Sequence, residues 1–131
     1  MNFPKDLKYT KDHEWAKVQG NHILVGITDH AQQALGDIVY VELPQIGRTL
    51  KSGDTFGVVE SIKAVSDLFS PVNGKVVKVN SALTEQPEKI NTDPYENSWI
   101  IELEVSGPAA DAQVDTLMSA DSYSKYVQSL K

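Results

Sequence analysis

The clearest strand pattern in the chain lies in residues 57–80, which read GVVESIKAVSDLFSPVNGKVVKVN. Runs rich in β-branched and aromatic residues at 55–60, 65–69 and 75–79 are separated by short turns, which predicts three strands, the first two as a hairpin. A hairpin tip usually carries Gly, Asn or Asp, because these residues tolerate positive φ. This tip instead reads Ser-Ile-Lys-Ala, and it places Lys63 at the most exposed point of an apolar hairpin.

More strands flank this stretch on both sides. Residues 22–27 and 38–43 are rich in β-branched side chains, and in residues 99–105 apolar side chains alternate with polar ones. Such alternation predicts one face in the core and one facing water. Asn73-Gly74 predicts a type I′ turn. Many short strands separated by turn residues predict a mainly β protein, a small sandwich or barrel.

Helices are predicted at two places. Thr28 or Asp29 can cap a short helix near residues 29–35, and Gly36 can end it with a positive φ in the left-handed conformation. A C-terminal helical segment is predicted over about residues 108–130, with Ser119 as a second cap. In its last part, four apolar side chains follow helical spacing and should pack on a sheet: Tyr123, Tyr126, Val127 and Leu130.

The length of 131 residues fits one domain, residues 1–131, with a β core over about residues 7–105. Residues 81–95 are polar, contain two prolines, and are predicted to form a long surface loop.

The composition excludes several classes of function. The net charge of −6 argues against nucleic-acid binding, because phosphates need a basic surface. The absence of cysteine excludes disulfides and a catalytic thiol. No apolar run approaches the length of a membrane span. The N-terminus lacks a secretory pattern, so we expect a cytoplasmic protein; a mitochondrial matrix location would follow only if a transit peptide had been removed.

The candidate chemistry reduces to one lysine. His13, His22 and His30 lack the short regular spacing of metal ligands, so no metal site is predicted. There is no phosphate-binding glycine loop and no nucleophile elbow. Lys63 is open to three interpretations: a solvated turn residue, a Schiff-base lysine, or an acylation site. The second requires burial, which a hairpin tip does not offer. The third would turn the tip into the base of a swinging arm that carries a cofactor.

The segment Val58-Val59-Glu60-Ser61-Ile62-Lys63-Ala64 closely resembles the lipoyl-attachment segment of the H proteins of the glycine cleavage system. Other blocks of that family occur in the same order over about residues 7–105. They are LKYTKDHEW at 7–15, GITDHAQ at 26–32, LGDIV at 35–39, VELP at 41–44, SPV at 70–72, Gly74, VN at 79–80, NTDPY at 91–95 and Trp99.

The resemblance implies a barrel-sandwich hybrid with lipoic acid attached covalently to Lys63, and a carrier without turnover of its own. The pyridoxal-phosphate glycine decarboxylase (P protein) would load an aminomethyl group onto the arm. The tetrahydrofolate-dependent aminomethyltransferase (T protein) would unload it, and dihydrolipoamide dehydrogenase (L protein) would reoxidise the dithiol. A lipoyl transferase or ligase would install the arm.

The resemblance also implies roles for residues around the arm. Glu14 and Asp67 would line a cleft that shelters the loaded, cationic arm, together with Asp12, where relatives often carry Ser. The alternative is that Glu14 and Asp67 are ordinary surface charges. Glu60 and Ala64 would help the modifying enzyme to recognise the hairpin.

Two other classes of carrier fit these residues less well, and a rival of a different class remains open. Biotin carriers flank the modified lysine with methionines, whereas Ile62 and Ala64 flank Lys63 here. Lipoyl domains of 2-oxoacid dehydrogenases usually carry Asp before the lysine and continue into a linker and a catalytic domain, whereas Ile62 precedes Lys63 here and no such continuation is expected. An H-like protein that relays lipoyl groups to other lipoyl domains, or an interaction module without a role in glycine cleavage, would carry a similar hairpin.

Overall fold

The computed structural model describes residues 1–105 and 113–130. The strands in this part of the chain are β1 Lys8–Tyr9, β2 Glu14–Gln19, β3 His22–Ile27, β4 Ile38–Glu42, β5 Thr49–Leu50, β6 Thr55–Ser61, β7 Val65–Phe69, β8 Gly74–Val79 and β9 Ile101–Glu104. The helices are α1 Asp29–Leu35, α2 Ala82–Glu85, α3 Lys89–Thr92 and α4 Ala120–Ser129. The prediction of a mainly β protein is confirmed.

The strands form two antiparallel sheets. The larger has the order β1-β2-β3-β9-β8-β5, and the smaller has the order β4-β6-β7. The hairpin of β6 and β7, predicted from residues 57–69, is confirmed, with Val59 opposite Ser66 and Glu60 opposite Val65. Lys63 therefore lies in the turn that joins β6 to β7, at one end of the three-stranded sheet.

The main core is filled by the inward faces of both sheets. Ile23, Val25 and Ile27 of β3 are buried, as their alternation predicts. Ile101 and Leu103 of β9 are buried with them, and from the smaller sheet Val59 enters the same cluster. Burying each such side chain contributes about 1.5–3 kcal/mol relative to leaving it in water.

A second apolar cluster holds the C-terminal helix. The ring of Tyr123 on α4 stacks on that of Tyr9, with 4.7 Å between the ring centroids. Val127 is buried as well, but Leu130, which follows the last residue of the helix, is half exposed, so the predicted apolar stripe is buried only in part. Ser119 caps α4 as predicted, since its hydroxyl accepts from the Ser122 N–H at 3.2 Å. The predicted helix start near residue 108 lies outside the described residues.

Helix α1 matches its prediction at both ends. The Thr28 hydroxyl accepts from the Ala31 N–H, and the helix ends at Gly36. Gly36 has φ 78° and ψ −154°, so φ is positive as predicted. However, ψ lies far from the left-handed helical value, in a region that glycine alone enters readily.

The type I′ turn predicted at Asn73-Gly74 is wrong. Strands β7 and β8 lie in different sheets, and neither residue is among those with positive φ in the described chain. Asn73 instead links two turns, because its Oδ1 accepts from the Ser52 N–H at 2.8 Å. Gly74 is closely packed, since a Cβ there would lie 3.1 Å from the Glu104 carbonyl oxygen.

The surface loop predicted for residues 81–95 contains two short helices, α2 and α3, so that prediction is wrong in part. Leu83 and Ile90, one from each helix, are fully buried in the main core. Asn91 joins this segment to the start of the smaller sheet: its Oδ1 accepts from the Ile38 N–H, and its Nδ2 donates to the Gly36 carbonyl. Among the described helices, none is long and apolar enough to cross a membrane.

Candidate functional site

The turn that carries Lys63 is closed by its own hydrogen bonds. The Ser61 N–H donates to the Ala64 carbonyl at 2.8 Å. The Ser61 hydroxyl accepts from the N–H groups of Lys63 and Ala64, at 3.2 and 3.1 Å. Because a serine side chain satisfies the turn, no residue here needs positive φ, which explains why Gly, Asn and Asp are absent from the tip.

The tip is also tied to the segment that follows α1. The Ile62 N–H donates to the Asp37 carbonyl at 3.1 Å. The Lys63 side chain runs beside Gly36, since a Cβ built on Gly36 would lie 3.5 Å from the Lys63 Cε. The lysine thus stands on a turn that is held from both sides, which presents its amine from a fixed base.

The amine of Lys63 is exposed to solvent. Among the described residues, the ion pairs within 4 Å involve His22 and not Lys63. An exposed amine can be acylated by an enzyme that reaches it, whereas a Schiff-base lysine needs a buried or otherwise depressed amine. The geometry therefore supports the third interpretation of Lys63.

Glu14 is buried, with only 1% of its surface exposed, so the alternative of an ordinary surface charge does not hold for it. Thr10 donates its hydroxyl to Glu14 Oε1 at 2.7 Å, and the Phe69 N–H donates to Oε2 at 3.3 Å. Burial raises the pKa of Glu14 to about 7, from 4.5; the two hydrogen bonds oppose this shift, and the Asp12 carboxylate adds to it.

Glu14 and Asp12 share a pocket of about 310 Å³. Its wall includes polar groups such as Thr10 and Ser52 and the apolar side chain of Met118. A small cationic group fits such a pocket, because it would meet carboxylates in a place partly shielded from water.

Asp67 is not among the residues that line this pocket. It lies on β7 opposite Val58, which itself pairs with Glu42 of β4. The structure thus places Glu14 and Asp12 together and Asp67 on the outside of the three-stranded sheet. Glu60 lies on the same outward face, opposite Val65, and Ala64 is exposed in the turn.

Two of the three histidines, His13 and His30, lie side by side in the fold, which their spacing in the sequence did not predict. The rings of His13 and His30 lie 4.5 Å apart, and His13 Nδ1 lies 2.8 Å from the Tyr123 hydroxyl. That hydroxyl is also 2.8 Å from Thr28 Oγ1, so it joins α4 to the cap of α1. His22 lies elsewhere, 2.7 Å from Glu102. In residues 1–105 and 113–130, no cluster of His and carboxylates suits a metal ion.

Glu14→Gln is expected to flatten the pH dependence of stability. The folded pKa of about 7 lies above the ordinary 4.5, so the folded state binds this proton more tightly than the unfolded state does. The wild-type free energy of unfolding should therefore fall between about pH 5 and pH 8, by up to about 3 kcal/mol, whereas Gln remains neutral.

Urea titrations of both proteins at pH 5, 6, 7 and 8 measure this difference. Burial lowers the pKa of His13, so protonation of His13 reduces the free energy of unfolding as pH falls. Because both proteins contain His13, this effect is common to them. If the free energies of unfolding of the two proteins change with pH in the same way over this range, Glu14 ionises in the folded protein as it does in water.

The profile of the family described as "Glycine cleavage H-protein" matches residues 7–130. The glycine cleavage system H protein of Myxococcus xanthus is 57% identical over 127 residues, which cover 97% of this chain and 96% of that protein. The mitochondrial H protein 2 of Arabidopsis thaliana is 53% identical over 124 residues, which cover 95% of this chain and 78% of that protein.

Among solved structures, the crystal structure of a glycine cleavage system H protein from Mycobacterium marinum is similar, with a TM-score of 0.84 and 38% identity. The match covers 98% of each chain. The fold expected from the sequence, a barrel-sandwich hybrid of the lipoyl-carrier type, is thereby confirmed.

Proposed function

The chain belongs to the glycine cleavage H-protein family, and we propose that it is the lipoyl-carrying component of the glycine cleavage system, with the lipoyl group on Lys63. The observation that carries this proposal is the exposed amine on a turn closed by Ser61. The chain itself would act as a carrier and not as an enzyme.

The residues present fit a covalent lipoyl group. The carboxyl group of lipoate, activated as an acyl adenylate, would form an amide with Lys63 Nζ and the bond to AMP would break. The ammonium of Lys63 would lose two protons to water, one to become a nucleophilic amine and one on forming the amide. The hydrogen bonds of the turn use backbone groups and the Ser61 hydroxyl, so they survive this change. Amide formation removes the positive charge of Lys63 and lengthens its side chain.

When bound, the lipoyl group supplies a disulfide that can be reduced and can accept and release an aminomethyl group. The residues of the chain itself present the lipoyl arm and shelter the group that the arm carries. We propose that Glu14 and Asp12 receive the cationic cargo in their pocket, and that Glu14 gives up its proton as the cation enters, since the Glu14 pKa of about 7 keeps both protonation states accessible. A pocket partly closed to water slows loss of the cargo by hydrolysis.

The other predicted residues act at the surface. We propose that Glu60 and Ala64, on either side of Lys63, help a lipoyl transferase or ligase to recognise the hairpin. A sheltering role for Asp67 stays a prediction, because Asp67 lies outside the pocket that contains Glu14.

Membership in the glycine cleavage system implies partners within it. We propose that these are the P protein, the T protein and the L protein. A cytoplasmic location fits the bacterial relatives, and the plant relative is named as mitochondrial.

The test is glycine–bicarbonate exchange with purified P protein, using this chain after its lipoylation has been verified by mass. We expect exchange from the lipoylated form and none from the unmodified form. Absence of exchange from verified lipoylated material would contradict the carrier role and favour the relay of lipoyl groups to other proteins.

A further inference from the structure

The outward side of the three-stranded sheet carries apolar and acidic side chains in alternation. Val41 and Val59 are paired across β4 and β6 and are buried, so the residues that flank them in each strand point away from the core. These flanking residues form two cross-strand rows, Tyr40–Glu60–Val65 and Glu42–Val58–Asp67. We refer to these six residues as the outward sheet face.

Exposed apolar side chains are concentrated at the Lys63 end of this sheet. Of the seven large apolar residues that are exposed in the described chain, four lie there: Val39, Tyr40, Ile62 and Val65, with 53, 48, 73 and 67% of their surfaces exposed. Single exposed apolar residues need no explanation, but Tyr40 and Val65 share one row of the outward sheet face, with Val39 and Ile62 near that row in the chain, and such a group indicates a binding surface.

The charges of the face are all of one sign. Each row contributes carboxylates, which are Glu60 in the first row and Glu42 and Asp67 in the second. The ion pairs found in the described residues include none of these three. An apolar surface interleaved with unpaired carboxylates is complementary to a surface that is apolar and bears Lys or Arg.

We propose that the outward sheet face docks the enzyme that acylates Lys63, and that the docking surface of this enzyme is apolar and basic. This inference rests on the proposed function. It extends recognition from Glu60 and Ala64 to both rows of the sheet.

The position of the amine selects this partner over the others. Lys63 offers Nζ on a stem of only four carbons, so an enzyme that reacts with Nζ must come into contact with the surface around the tip. The first row contains Glu60 and Val65, which pair directly below the turn and lie three and two residues from Lys63. An enzyme that acts on the far end of a long acyl arm is under no such constraint.

The apolar part is tested by the rate of lipoylation. The double variant Tyr40→Thr with Val65→Thr places threonine, which suits a strand, at both positions and removes exposed apolar surface. With a purified lipoate–protein ligase, ATP and lipoate, we expect its kcat/KM to fall about tenfold or more below wild type. Leu130→Thr, at an apolar position that is 50% exposed directly after α4, should react at the wild-type rate.

The charged part is tested by the salt dependence of the same reaction. Wild-type kcat/KM should fall as NaCl is raised, because attraction between exposed charges is screened. Glu42→Gln with Asp67→Asn should react more slowly at low salt and show a flatter dependence. Glu85→Gln with Glu88→Gln removes the same net charge from exposed positions outside the sheet and should keep the wild-type dependence.

The outcomes separate this inference from the function on which it rests. Wild-type protein that is not acylated at all would overturn both. Wild-type protein that is acylated, while both double variants match it in rate and salt dependence, would overturn the docking face and leave the carrier role intact. Thermal melting of each variant shows whether a slower reaction reflects loss of fold.

Discussion

Lys63→Arg is expected to abolish lipoyl attachment and, with it, all glycine–bicarbonate exchange above the background without carrier. Arginine keeps the positive charge and suits the exposed tip, but its guanidinium stays protonated in proteins and does not form the amide. The turn is closed by Ser61 and backbone groups, so the substitution leaves the hairpin intact. Intact mass after incubation with ligase, ATP and lipoate measures attachment, and the exchange assay measures its consequence.

Lys75→Arg is the matched control. Lys75 is exposed on β8 in the other sheet, and the same substitution there should leave both attachment and exchange at the wild-type level. A Lys63→Arg protein that gained mass like wild type would place the arm on another residue and remove the basis of the account.

Gly57→Ala is expected to cost at least about 3 kcal/mol of stability. A Cβ at Gly57 would overlap the carbonyl oxygen of Glu42, which belongs to the backbone of β4 and cannot turn away. Strands β4 and β6 would have to separate near Gly57, at the end of the sheet away from Lys63. The φ of Gly57 is not positive, so the requirement is space and not backbone conformation. Urea unfolding measures the loss, and we expect the melting temperature to fall by about 10 °C or more.

Thr55→Ala provides the comparison on the same strand. Thr55 is exposed, and its backbone carbonyl, which accepts from Arg48, is unaffected by the substitution. Its stability should stay within about 1 kcal/mol of wild type. Equal stability of the Gly57→Ala and Thr55→Ala proteins would contradict the close approach of β4 and β6.

The parts of this fold that could be predicted from sequence are those set by neighbouring residues. Alternation of apolar and polar residues predicted strands, and the capping residue Thr28 predicted α1. The break between two apolar runs predicted the hairpin that carries Lys63. Asn73-Gly74 failed because a preference for a turn type gives way when the two flanking strands belong to different sheets. Leu83 and Ile90 lay in a stretch that is polar on average, and only the fold shows that both reach the core.

The parts of the site that could not be predicted depend on residues far apart in the chain. Glu14 is buried against the backbone of Phe69, 55 residues away, and that contact belongs to the environment that shifts its pKa. The hydroxyl of Tyr123 meets Thr28 across 95 residues. The helical spacing of Tyr123 correctly predicts that its ring packs against the sheet. No local pattern, however, indicates which groups the Tyr123 hydroxyl contacts. In contrast, strand β2, Glu14–Gln19, was not predicted, although its residues 16–19 alternate between apolar and polar side chains.

The most direct test of the account is a peptide map of the wild-type protein after incubation with a lipoate–protein ligase, ATP and lipoate. We expect an intact-mass gain of a single lipoyl group, located on the peptide that contains Lys63. A protein with no mass gain, or with its lipoyl group on any other lysine, would contradict the assignment of Lys63 as the base of the carrier arm.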